Sequence, residues 1–163
     1  MKTAVIFVLI MTVLIWLGSL MAKAETRKTA RRRTAFGGSD DVAFAVVDVL
    51  IHSGISTKAR AKTLLPEVTQ AAVRVLGHEV AEASVSAALA LAMRDPDMMD
   101  VDSQAAPIPQ SMRPALAREA TAIYTKRLNI LDDEGAIYLR RAMRALGFEP
   151  AEVRAIFAQA SGN

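Results

Sequence analysis

Residues 39–54 read SDDVAFAVVDVLIHSG, and whether they form a strand or a helix decides the fold. Their valine and isoleucine content favours a strand. Ser39, Asp40 and Asp41 nevertheless supply a helix cap and an acidic first turn, and Gly54 supplies a stop. Val42, Val46, Val49 and Leu50 share one face, while Phe44, Val47 and Ile51 share another. A helix apolar on nearly every side belongs at the centre of a fold. No segment elsewhere alternates apolar and polar residues as a partner strand would, so the reading is a central helix over about 39–52.

Downstream the pattern stays helical. Short helices are expected over 57–65 and from Pro66 to about 76, where Val68, Ala71, Ala72, Val75 and Leu76 make a stripe that Gly77 closes. Another is expected over 79–93. The acidic, proline-bearing stretch 95–110 reads as a long exposed connection. Helices then follow over 112–128, 133–146 and 150–160. In the second of these Leu139, Ala142, Met143 and Leu146 face inward and Arg140, Arg141 and Arg144 outward; in the third Val153, Ile156, Phe157 and Ala160 form the stripe. The fold class is therefore all-α, a bundle of about six to seven short helices.

Upstream lies AVIFVLIMTVLIWLGSLMA, residues 4–22, without a charge. Nineteen helical residues span roughly 28 Å, enough to cross a bilayer core. The bundle is thus expected behind a single N-terminal transmembrane helix. Lys23, Arg27, Lys28, Arg31, Arg32 and Arg33 follow the run, and the positive-inside rule places them, with the C-terminal domain, on the cytoplasmic side of a bacterial inner membrane. There they are expected to contact anionic lipid. Ala22-Lys23-Ala24 also has the small-x-small form of a signal-peptidase site, so cleavage after Ala24 with periplasmic release stands as the alternative. The organisation expected is an anchor or signal peptide over 1–24, a basic linker over 25–38 with a joint at 34–39, and a helical domain over 39–163.

Charge is unevenly placed in the 163 residues. Residues 1–36 carry +6 and residues 37–163 carry −3, so the basic pI belongs to one short segment and not to the domain. With only Phe36 near that cluster, nucleic acid is excluded as a partner. The chain has no cysteine, which rules out disulfides and thiolate metal sites.

Candidate chemistry is sparse. His78-Glu79-Val80-Ala81-Glu82 has the first half of a zinc-protease helix but ends in Glu82, leaving His78 and Glu82 as two ligands on one helix face. Asp95, Asp97, Asp100 and Asp102 lack the central glycine and closing glutamate of an EF-hand and read as a solvated acidic loop. No phosphate-binding glycine loop, nucleophile elbow or Ser/His/Asp order stands out, so no catalytic residue and no cofactor are expected beyond a weakly held divalent cation.

The run ILDDEGAIYLRRAMRALGFEPAEVRAIF, residues 130–157, resembles the C-terminal helical hairpin of TerB-like domains, the family named for tellurite resistance: an acidic turn, an apolar helix ending in Leu-Gly, then a helix opened by Pro and Glu. VLIHSGISTKARAKTLLPEV, residues 49–68, is similar to the counterpart hairpin. The resemblance implies metal binding through acidic turns, here Asp132, Asp133 and Glu134; the first turn, His52-Ser53-Gly54, has no aspartate to match. As a helix start, those three acids also need no ligand. One class of membrane-anchored DnaJ-type co-chaperones places a TerB-like domain behind an N-out, C-in helix, which is the order here, although no His-Pro-Asp occurs.

The function expected is a membrane-anchored, cytoplasm-facing helical interaction module for an unidentified protein partner, in envelope stress or membrane-associated assembly, without catalysis. Beside it stand an exported periplasmic binding protein cleaved after Ala24, and a metal-binding protein or hydrolase using His78 and Glu82.

Overall fold

A computed structural model describes residues 2–37, 40–55, 61–94, 104–126 and 133–161. These residues form α-helices and one 3-10 turn, with no strand among them: α1 (Lys2–Phe36), α2 (Asp41–Gly54), α3 (Ala61–Leu76), α4 (Glu82–Arg94), the 3-10 turn Gln110–Met112, α5 (Arg113–Thr125), α6 (Asp133–Ala145) and α7 (Pro150–Ser161). The protein is all-α, and α2 is its axis. It packs against α3, α4, α5 and α6, and every residue from Ala43 to Gly54 is buried. Helical β-branched residues are acceptable here because four neighbouring helices bury both of the apolar faces.

Asp40 caps α2. Its carboxylate accepts the amide protons of Val42 at 3.0 Å and Ala43 at 2.9 Å, filling donors that the first turn cannot satisfy internally. Ser39, the other expected cap, lies outside the described residues. Asp40→Ala is expected to lower stability by about 1 kcal/mol, seen as a lower urea midpoint with an unchanged slope.

The two helices expected on either side of Pro66 are one. Pro66 sits inside α3, on an exposed side where water can satisfy the carbonyl it leaves unpaired. Leu64, Val68, Ala71, Ala72 and Val75 run as one buried stripe straight past it, and that continuous burial outweighs the local breaking tendency. At the far end of α2, Gly54 lets α3 and α5 approach. A Cβ there would stand 2.5 Å from Leu64 Cδ1 and 2.7 Å from Ile123 Cγ2, too close for any side chain to be added without shifting both neighbours.

The stretch expected to be an exposed connection over 95–110 divides in two. Residues 95–103 lie outside the described residues, but Gln104, Ala105 and Ile108 are buried in the core. Arg113 pins this segment by donating from Nε to the Ile108 carbonyl at 3.1 Å and from Nη1 to the Leu146 carbonyl at 2.9 Å. The same residue therefore ties the approach to α5 to the end of α6. That end closes as a Schellman turn: Phe148 N–H bonds Met143 O at 3.0 Å and Gly147 N–H bonds Arg144 O at 2.9 Å, with Gly147 at φ +90°, a conformation strained for any residue with a Cβ. On α6 the expected residues Leu139, Ala142, Met143 and Leu146 are buried, joined by Tyr138, while Arg140, Arg141 and Arg144 face outward.

Across the surface, Arg74 of α3 grips Glu119 of α5 through two bonds of 2.8 and 2.7 Å. That hydrogen bond raises the Arg74 pKa above its ordinary value, so the guanidinium stays charged.

Candidate functional site: the seat of the N-terminal helix

Helix α1 is uninterrupted from Lys2 to Phe36. The joint expected over 34–39 is thus helical as far as Phe36, and the basic stretch continues the helix that carries the apolar run. Tertiary packing explains the difference: Phe36 is buried and meets Phe44 with ring centroids 5.8 Å apart, and the C-terminal half of α1 lies along α4.

Among the described residues no helix is long and apolar enough to cross a membrane; of the apolar run, the described stretch of side chains is 10–19. Those side chains are all exposed. Ile10, Met11, Val13, Leu14, Ile15, Trp16 and Leu17 are between 43 and 68% accessible and point round the helix, with Ile137 the remaining exposed large apolar residue among those described.

The seat itself is a buried ion pair. Arg32 donates from Nε to Asp48 Oδ1 at 3.0 Å and from Nη2 to Asp48 Oδ2 at 3.3 Å, and the two side chains are 2% and 0% exposed. The two-point fork fixes the rotation of α1 against α2 as well as its distance. One residue on, Arg33 pairs with Asp41 at the bundle surface. Arg32 is therefore withdrawn from the set expected to meet lipid: its guanidinium faces Asp48 in the interior. Lys23, Arg27 and Arg31 are exposed and Lys28 is half-buried. Spaced four apart, the first three form one stripe along α1.

Behind the ion pair lies more polar material. His52 Nδ1 donates to the Asp48 carbonyl at 2.8 Å and lies 3.5 Å from its carboxylate; the ring stacks on Tyr138 at 5.1 Å. Tyr138 in turn donates to Gln104 Oε1 at 2.9 Å. A carbonyl only accepts, so Nδ1 carries a proton, and in the neutral ring Nε2 is left as an acceptor. His52 Nε2 and Gln104 Nε2 are the buried side-chain atoms without a hydrogen-bond partner among the described residues. This chain from Arg32 to Gln104 links α1, α2, α6 and the segment before α5. Buried hydrogen-bonded groups of this kind hold the elements they join in one arrangement.

The other expected sites fare differently. Gly77, at φ +74°, ends α3, and α4 starts only at Glu82, so His78 stands in the intervening turn with its ring nitrogen 3.1 Å from the Glu79 carbonyl. His78 and Glu82 consequently do not share a helix face. Asp132 lies outside the described residues, and of Asp133 and Glu134 the helical backbone alone is described. Among the described residues no three His, Asp or Glu side chains are grouped to hold a metal.

Sequence reasoning missed Asp48, Gln104 and the inward turn of Arg32. Asp48 did give a signal: an acid within the run VVDVL of a helix read as apolar all round requires a buried cationic partner. No protein-family model matches this chain, and no curated protein or solved structure matches it either.

Proposed function

We propose that the protein is a membrane-anchored helical interaction module whose bundle is held at the cytoplasmic face by its own anchor helix, with no catalysis. The observation that carries this reading is the exposure, on all sides, of the apolar side chains 10–17 on a helix whose other end is locked into the domain core. A patch of that kind needs an apolar environment. The uncharged run 4–22 has the length for a bilayer core, and Arg32 follows its last residue by ten positions, roughly 15 Å of continuous helix. The bundle would stand just beneath the headgroups in one orientation, with Lys23, Arg27 and Arg31 forming the exposed stripe toward anionic lipid.

Helices α6 and α7 form a hairpin, with Gly147 between them and Pro150 opening α7. The proposed anchor is what supports a role in membrane-associated assembly.

The test is the intact mass and extraction behaviour of the full chain expressed in a bacterium. An unprocessed mass, with release from membranes by detergent and not by alkaline carbonate, is expected. A soluble product starting at Glu25 overturns the anchor and restores the periplasmic alternative.

A further inference from the structure

Helices α6 and α7 enclose a surface groove of about 410 Å³ lined by Arg140, Arg144, Pro150, Val153, Arg154 and Phe157. We propose that this groove docks an acidic segment of a partner protein, with a bulky apolar side chain of that segment seated between carboxylates that the three arginines hold. The proposal rests on the reading of the chain as an interaction module and is independent of its topology in the membrane.

Charge complementarity carries it. Among the described residues three guanidinium groups line the groove and no carboxylate does, although residues 37–163 as a whole carry −3. The groove is a basic feature on an acidic domain, which sets it apart from the general charge of the surface. Arg140 and Arg144 stand one turn apart on α6 and Arg154 projects from α7, a spacing that can grip successive carboxylates. At the start of α7 the Glu152 carboxylate is turned to the backbone, accepting the Glu149 amide proton at 2.8 Å as a helix cap.

Its apolar floor specifies more than charge. Val153 is buried and Phe157 half-buried, with Phe157 held edge-on to Tyr124 at 6.0 Å. Pro150 completes an apolar wall between the guanidinium groups. Arginine flanking an aromatic floor is the composition of the residues that dominate binding energy at interfaces.

Position selects a protein over a lipid headgroup. Helix α7 packs on α5 and α6, whereas α1 packs along α4. The groove is therefore built from helices other than the one that α1 packs along.

The experiment uses the full-length chain in a non-ionic detergent and a fluorescein-labelled peptide of repeated Glu-Glu-Leu, followed by anisotropy. Binding is expected, weakened at least about tenfold by Arg144→Glu with Arg154→Glu, and weakened also when serine replaces leucine in the peptide. Both substituted arginines are exposed, and an unchanged far-UV spectrum confirms the fold. Equal binding by the double variant, or by the serine peptide, overturns the proposal. Displacement of the probe by short-chain phosphatidylglycerol at lower concentration than by unlabelled peptide also overturns it, in favour of a lipid site. Membrane extraction of the variant is expected to match the parent, so failure of the groove and failure of the anchor are read separately.

Discussion

Asp48→Ala is expected to destabilise the bundle by about 3–5 kcal/mol, because it leaves the Arg32 guanidinium, 2% exposed, buried without its counter-charge. Two of the arginine's donors would lose their acceptor together, since both bonds of the fork end on Asp48. A domain of this size is ordinarily stable by about 5–15 kcal/mol, so the loss is a large part of the total. It should show as a lower urea midpoint of the full chain in detergent. The same experiment on Arg32→Met with Asp48→Leu distinguishes charge from shape: an apolar pair of similar volume is expected to recover most of the stability. If the seat fixes the rotation of α1, that double variant folds yet allows α1 to turn against α4, which a spin label on each helix would register as a broadened distance distribution.

Leu50→Ala has the second largest expected effect, a loss of about 2–5 kcal/mol. Leu50 is fully buried on the one helix that touches α3, α4, α5 and α6. Its neighbours are held from several directions and can collapse little into the space left behind, which places the cost above that of a bare transfer term. Thermal unfolding of the variant should shift downward as one cooperative step; separate transitions for the helices on either side of α2 would contradict the central role given to it.

What could be read from the sequence was whatever a single helix determines by itself. Caps, stops and stripes gave α2, α6 and α7 to within a few residues, since Asp40, Gly147 and Pro150 act locally. Pro66 misled because its local preference competes with a buried stripe that extends beyond it. Gln104 to Ile108 misled because prolines and acids mark a loop, yet a loop can be drawn inward when Arg113 satisfies its carbonyl. The seat of α1 was the least legible part. Six cations in a row look equivalent until the partner of one is known, and only the approach of α2 distinguishes Arg32 from Arg31. Asp48 was the available clue, an acid in a wholly buried helix.

We propose that one helix both enters the membrane and is locked into the domain. Since the chain has no cysteine, single introduced thiols report topology without background. Thr3→Cys and Ser86→Cys, the latter at an exposed position on α4, would be treated in intact spheroplasts with a membrane-impermeant maleimide. Labelling at position 3 from outside, with position 86 reached only after lysis, is the predicted result. Labelling at position 86 from outside, or a product that has lost position 3 through cleavage, would contradict the account.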